Sequence, residues 1–525
     1  MTYSFKKVFL IILDGFGLAP PGPGNPISAK TMPYLNSLME SYAAFNVLAS
    51  GLVVGLPWGK PGNSEVGHSA IGTGRIIIQD CARINADIIS GEFFKNKALT
   101  DAAEHCRAKN STLHLIGCTS PGGIHGHEDH LIALLEFASL EQLASVAVHM
   151  IADGEDSGPT ESLATLGRLA QSLEKSHAKI ATVAGRMYAM DRVFNWNLTE
   201  QTWRAIVEGT GEKIDDVSAY LKKSHASDMP DDQIVPAVVQ VDGKPVATVR
   251  EGDAVIFFNY RNDRMKQMVA PFVTPDFKGF APRALPKDLF VVSMTRYSND
   301  LAVNAVAYEA PDIHHTLGKE ISRRELKQFR VAEKEKEAHV SNFFNGGRID
   351  PYEGTEQVIV SSRQLTGAEY LKYPEMSAQK IADELLARTE KDFTLSIANF
   401  ANCDMMAHTG NMEAVAKGIA VVDGCLKQII TKVLEDPSAA VVITCDHGNS
   451  EELLDPATGK PDTQHSSSSV FALFVAREFA QESPERNLET MADEPAIGSL
   501  IDIAPSVLKL LSLEQPVEMT GAPLI

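Results

Sequence analysis

Short apolar runs that stop abruptly at polar residues dominate the pattern of this chain. Val8 to Leu13 end at Asp14, Phe393 to Ile397 lead into Asn399 and Asp404, and Ala440 to Cys445 end at Asp446-His447-Gly448-Asn449. Runs of this length, rich in Val and Ile and separated by longer segments of helical period, predict buried parallel strands. In an open α/β sheet the ligand crevice lies beyond the carboxyl ends of the strands, so these runs bring their trailing carboxylates to one rim. A second series repeats the pattern. Thr112 to Ile116 precede Gly122-Gly123-Ile124-His125, and Val146 to Met150 precede Asp153-Gly154-Glu155-Asp156. Ile180 to Val183 precede Gly185-Arg186, and Val255 to Phe258 precede Asn259-Tyr260-Arg261. This predicts a second sheet whose strand ends carry His, Asp and Arg rather than a complete metal set.

The simplest arrangement of the two series is an open α/β sheet domain formed by both chain ends, residues 1–85 and 309–525, with a second α/β domain, residues 86–308, inserted between them. Ser298-Asn299-Asp300 and Pro311-Asp312 punctuate the return crossing. The charged stretch Lys319 to Lys336 predicts an exposed helix whose flank re-enters the outer domain. At 525 residues the chain exceeds what one core usually organises, which agrees with two domains.

Composition narrows the class. With 44% apolar and 22% charged residues the chain is globular rather than disordered. No apolar stretch approaches membrane-spanning length. Lys6-Lys7 before Val8 to Leu13 imitates the start of a signal peptide, but Asp14-Gly15-Phe16-Gly17 offers no cleavage site, so the run reads as a buried strand of a cytoplasmic protein. The six cysteines form no CxxC pair and no disulfide framework, and read as small core or near-surface thiols. A net charge of -20 argues against a nucleic-acid partner. It leaves room for a small phosphorylated substrate held by a local arginine cluster.

Three carboxylates and three imidazoles stand where metal chemistry needs them. Asp404 and His408 are four residues apart, so a helix starting near Asp404 stacks them on one face. Asp446 and His447 end a strongly apolar run, and Asp14 repeats that placement at the first strand. A carboxylate at the mouth of a buried strand needs a charge partner. His465 adds an imidazole from a polar loop. The six together suffice for two divalent ions with positions left open for substrate, an arrangement that clamps a transferring phosphoryl group.

Gly62-Asn63-Ser64-Glu65-Val66-Gly67-His68 presents Ser64 either in a solvent-facing turn or as the cap of a helix. A serine at a helix start sits where backbone N–H groups favour a phosphoryl group, and a metal ion is one way to activate its hydroxyl. Arg186, Arg192, Arg261 and Arg264 supply forked donors suited to carboxylate and phosphate. Arg264 faces the same way as Arg261 if a helix starts there. His125 sits on a glycine-rich loop with His127 and His130 close by, and spacing alone does not choose among them. Asp156 could exchange a proton with a substrate hydroxyl. Composition alone makes Lys336 solvent-facing.

These segments, with Ile71-Gly72-Thr73-Gly74-Arg75, Met190-Asp191-Arg192, His339-Val340, Phe343 to Gly347 and Asn399 to Gly410, resemble the cofactor-independent phosphoglycerate mutases, a branch of the alkaline phosphatase superfamily. The resemblance implies an alkaline-phosphatase-like outer domain. It also implies one ion held by Asp404, His408 and His465 and a second by Asp14, Ser64, Asp446 and His447, most often manganese. Ser64 would carry the phosphoryl group. His125, Asp156, Arg186, Arg192, Arg261, Arg264 and Lys336 would surround the substrate, which overturns the composition-based reading of Lys336. The implied reaction interconverts 3-phosphoglycerate and 2-phosphoglycerate without 2,3-bisphosphoglycerate. A monomer is expected, since a hinged two-domain enzyme needs free surfaces.

The chain departs from that pattern in three places. Glu155 stands where the family usually has arginine, which should weaken anion binding. Ser120-Pro121 replace a serine and an acidic residue before the paired glycines, and Arg363-Gln364-Leu365-Thr366-Gly367 lacks a proline-rich hinge. The rival readings are a metal-dependent phosphatase, a mutase of another small phosphorylated compound, and a binding protein that kept the fold.

Overall fold

The computed structural model describes residues 3–281, 286–362, 367–455 and 457–525. The Arg363 to Thr366 departure therefore lies outside the described residues. Two compact units divide the chain: Met1–Gln79 with Asp312–Ile525, and Asp80–Pro311. Helix Asp80–Ser90 belongs to the second unit from its first residue, which moves the first crossing ahead of the expected one.

The first unit is built on an eight-stranded sheet. Across it run Thr355–Val360, Gln328–Glu333, Leu395–Phe400, Lys7–Leu13, Ala439–Thr444, Val470–Val475, Ala43–Leu48 and Gly498–Ser499. The first five strands are mutually parallel, and Val470–Val475 is antiparallel to its neighbours. Leu395–Phe400 and Ala439–Thr444 are buried along their whole length, as strands covered on both faces must be. Helix Met412–Val433 supplies part of that cover. Asn411 caps it by accepting from the Ala414 N–H, and Val415, Ile419, Val422, Leu426, Ile429 and Ile430 repeat at helical spacing on its buried side. Leu13 pairs with Phe400 and Ile12 with Thr444, so the central strands end at one level with Asp14, Asp404 and Asp446 just beyond.

The charged stretch Lys319 to Lys336 is not one exposed helix. A short helix, Leu317–Ser322, is followed by the fully buried strand Gln328–Glu333 and a single turn at Lys334–Lys336. Arg330 is buried because other groups take its protons: Val340 O at 2.7 Å and Asn345 Oδ1 at 2.9 Å from beyond its strand, and Gln328 Oε1 at 2.8 Å from the same strand. Local charge misleads where distant partners satisfy it.

The second unit carries its own sheet, in the order Ala305–Tyr308, Phe290–Thr295, Ala254–Phe257, Leu113–Cys118, Val146–Ala152, Lys179–Gly185, Ala237–Val241 and Glu212–Ile214, with Lys244–Pro245 paired beside Ala237–Val241. Ladders are parallel from Ala305–Tyr308 to Lys179–Gly185, which aligns the carboxyl ends leading to His125, Asp153, Arg186 and Tyr260. None of the six cysteines forms a disulfide; Cys81 is partly exposed and the others are buried. Among the described residues no helix is long and apolar enough to cross a membrane.

Candidate active site

In the first unit, Asp14 follows its strand directly and is fully buried, and helix Asn402–Ala407 sets Asp404 one turn from His408. Asp404, His408 and His465 form one cluster and Asp14, Asp446 and His447 another, each with ligand atoms within 4.8 Å of one another. His408 Nε2 lies 3.2 Å and His465 Nε2 3.4 Å from Asp404 Oδ1.

The imidazoles are oriented from behind. Nδ1 of His408 faces Thr463 O at 2.9 Å, Nδ1 of His465 faces Gly62 O at 2.9 Å, and Nδ1 of His447 faces Gly448 O at 3.1 Å. A carbonyl only accepts, so each Nδ1 carries the proton and each Nε2 lone pair points inward. Nε2 of His408 and of His465 are 3.3 Å apart, two lone pairs that need a proton or a cation between them. Asp446 Oδ2 is buried and accepts no hydrogen bond among the described residues. His68 Nδ1 lies 3.1 Å from it but donates to Ser64 O at 2.8 Å. The donor set of carboxylate oxygen and imidazole nitrogen suits zinc or manganese, and these unsatisfied atoms fit such ions.

Ser64 is neither in a solvent-facing turn nor the cap. Asn63 caps the helix by accepting from the Val66 N–H at 3.0 Å, and Ser64 is the first residue of helix Ser64–Thr73, buried at its positive end. The Ser64 hydroxyl lies 3.1 Å from Asp14 Oδ1, 2.9 Å from His447 Nε2 and 2.8 Å from Lys336 Nζ. Lys336 is only 4% exposed and also donates to Asp14 Oδ1 at 2.5 Å and Asp404 Oδ2 at 2.8 Å. Burial alone would push this ammonium down, but Asp14, Asp404 and Asp446 hold it above the ordinary lysine range. The Asp14 carboxyl is pushed up by burial and by Asp446.

The second unit gathers the remaining site residues. Arg186, 2% exposed, donates to Asp153 Oδ1 at 2.5 Å and Asp156 Oδ2 at 2.6 Å, with Glu155 Oε2 at 3.2 Å. Arg264 Nη2 lies 3.9 Å from the same Glu155 oxygen. Asp263 pairs with Arg192 at 2.9 Å and Arg261 at 3.4 Å. No helix starts at Arg261: the helix begins at Lys266, and Arg261 and Arg264 sit in the preceding turn with different partners. His125 is buried between Asp156 at 3.8 Å and Asp263 at 3.5 Å. His127 instead caps helix Glu128–Leu140, and His130 is buried against Asn85 and Tyr260. Burial and the Arg186 guanidinium push the His125 imidazole down to about 4. Ser120, one of the departures, donates to Asp153 Oδ2 at 2.7 Å and so helps orient the Arg186 pair.

Several residues were not singled out from the sequence. Asn399 donates to Asp14 Oδ2 at 2.7 Å and Asn449 to Asp404 Oδ1 at 2.8 Å, while His68 backs Ser64 and Asp446. Each stands inside a segment already marked by its neighbours. Asp153 and Asp263 flank arginines in the same way.

Comparison with known proteins gives a consistent picture. A family model described as "BPG-independent PGAM N-terminus" matches residues 84–299. A Clostridium perfringens protein named 2,3-bisphosphoglycerate-independent phosphoglycerate mutase is 42% identical over 524 residues, 99% of either chain. A Moorella thermoacetica protein of the same name is 40% identical over 522 residues, covering 99% of this chain and 98% of that one. Among solved structures, Leishmania mexicana phosphoglycerate mutase at low cobalt concentration matches with a TM-score of 0.70 at 26% identity, over 99% of this chain and 98% of that one.

Proposed function

The chain belongs to the 2,3-bisphosphoglycerate-independent phosphoglycerate mutases, and from that premise we propose that it interconverts 3-phosphoglycerate and 2-phosphoglycerate through a phosphoserine at Ser64. The observation that carries this reading is the Ser64 hydroxyl, buried at a helix start within hydrogen-bonding reach of Lys336, His447 and Asp14. Asp404, His408 and His465 would hold one divalent ion, and Asp14, Ser64, Asp446 and His447 a second, manganese before others. Such ions supply Lewis-acid polarisation and favour the ionised hydroxyl.

Ser64 Oγ, ionised, attacks phosphorus, its new O–P bond forming as the bond to the glycerate oxygen breaks, and that oxygen takes its proton from the Asp156 carboxyl. Lys336 donates to Ser64 Oγ and offsets the negative charge there. Arg186, Arg192, Arg261 and Arg264 bind the carboxylate of the substrate, and His125 contributes a neutral imidazole. On return, Asp156 takes the proton of the other glycerate hydroxyl, whose oxygen attacks phosphorus and releases Ser64. We place this activity in a cytoplasmic monomer.

The test is an enolase-coupled assay of the manganese-loaded protein on 3-phosphoglycerate, with mass detection of a phosphorylated peptide containing Ser64. Formation of the 2-isomer and of that peptide supports the reading. Release of inorganic phosphate without isomer would replace it with a phosphatase.

A further inference from the structure

Glu451 is a buried carboxylate that the proposed chemistry does not use. It lies just past the Asp446-His447 strand end, yet its oxygens face three separate segments. Oε2 accepts from the Gly17 N–H at 2.9 Å and from the Asn449 N–H at 2.9 Å, and Oε1 accepts from the Ser466 hydroxyl. Gly17 belongs to the loop of Asp14, Asn449 to the loop of Asp446 and His447, and Ser466 follows His465 directly. One carboxylate therefore ties together the loops that bring Asp14, Asp446, His447 and His465 to these clusters, leaving out the helices of Ser64 and of Asp404 and His408.

The backbone around it is cut to fit. A Cβ at Gly17 would overlap the Glu451 carboxylate, and a Cβ at Gly448 would overlap Glu451 Oε1 and Ser466 Oγ. Neighbouring bonds brace the same joint: Gly15 N–H donates to Asp446 Oδ1 at 3.0 Å, Ser450 N–H to Gly15 O at 3.0 Å, and Ser466 N–H to Gly448 O at 3.1 Å. Glu451 makes no ion pair among the described residues, so backbone and hydroxyl dipoles alone hold it. A carboxylate so placed adds negative potential behind the clusters and fixes the spacing of their ligands.

We propose that Glu451 is a positioning residue that sets the affinity of the two clusters for divalent cations by holding the 14–17, 446–449 and 465–466 loops in register. The inference rests on the reading of these clusters as metal sites. Supports of this kind change metal affinity by about 10–100-fold when removed.

The experiment titrates Mn²⁺ calorimetrically into metal-free full-length protein, wild type beside Glu451→Gln and Ser466→Ala, with the thermal midpoint of each metal-free protein measured in parallel. Glutamine places an N–H₂ group where a donor already points, and should weaken Mn²⁺ about 10–100-fold. Ser466→Ala, which loses one of three bonds, should weaken it less, by several-fold. If Glu451→Gln fails to fold, Ser466→Ala decides alone. A lowered midpoint with Mn²⁺ affinity within twofold of wild type would make Glu451 merely structural and overturn the proposal. Wild-type protein that binds no Mn²⁺ would remove the metal reading itself, and this inference with it.

Discussion

The two polar centres of this molecule balance charge in opposite ways. In the first unit Asp14, Asp404 and Asp446 are answered, among the full-time charges of the described residues, by Lys336 alone, and acceptors without a partner among those residues remain. In the second, Arg186, Arg192, Arg261 and Arg264 face Asp153, Glu155, Asp156 and Asp263, and every member of the group takes part in an ion pair. The first centre carries a surplus of buried carboxylates, which the proposed cations would answer. The second balances four guanidinium groups with four carboxylates, so an anionic ligand competes with those carboxylates, although Arg186 Nε and Arg264 Nε are buried without a hydrogen-bond partner among the described residues. A buried charge is costly unless it is answered, so the two centres differ in how much charge remains for a ligand to answer.

The largest effect should come from the hydroxyl at the charge-deficient centre. Ser64→Ala should lower kcat on the order of 10⁴-fold or more, since no other nucleophile stands at that position. Metal content by elemental analysis should stay near wild type, because Asp14, Asp446 and His447 remain. Surviving turnover would remove Ser64 from the pathway.

Chelation sharpens the contrast next. Stripping divalent ions should abolish turnover, and restoring Mn²⁺ to about 100 times its Kd should stabilise the first unit by about 2.7 kcal/mol per site. Hydrogen-exchange mass spectrometry should show that gain in peptides carrying Asp14, Asp404 and Asp446. An equal gain in peptides carrying Arg186 and Arg264 would mean that the two centres do not differ as described.

How much of this was legible in the sequence follows from where each residue's partners lie. Asp14, Asp446 and His447 end apolar runs, so strand periodicity alone put them at one rim, and the four-residue spacing of Asp404 and His408 needed only a helix turn. Lys336 and Arg330 were illegible because the groups that make their burial tolerable come from remote segments: Asp14 and Asp404 for one, Val340 and Asn345 for the other. Glu451 was hidden for the same reason, since two of its three donors, Gly17 and Ser466, lie 434 and 15 positions away. Spacing left open whether a helix starts at Arg261; none does, and the preceding residues are held by tertiary bonds: Asn259 Oδ1 accepts from the Cys118 N–H at 2.7 Å and Tyr260 N–H donates to His125 O at 2.9 Å.

A smaller effect tests the balanced centre. Glu155 is 48% exposed in its side chain and shares its oxygen between Arg186 and Arg264, so it competes with any incoming anion. Glu155→Gln removes the charge while keeping the shape. KM for 3-phosphoglycerate should fall about two- to tenfold, at most ~1.4 kcal/mol, with the product unchanged. An unchanged KM would show that these arginines are not held back by their own carboxylates.

The smallest effect is a slope. His125 is surrounded by Arg186 and Arg261, which disfavour its protonation, and by Asp156 and Asp263, which favour it; burial and the guanidinium groups win, leaving it near 4. The unfolded chain binds that proton at the ordinary histidine value of about 6.5. Between those two values the unfolded state holds more protons than the folded one, so stability falls as pH falls from 6.5 and stops falling on this account below about 4. His125→Asn should therefore flatten the dependence of the urea midpoint on pH across that window. It should leave the midpoint above pH 7 changed only by the lost contacts. If wild type and variant ran parallel from pH 7 to 4, the imidazole would take up its proton in the folded protein as readily as in the unfolded chain, and below about 6.5 the second centre would carry one positive charge more than its carboxylates balance.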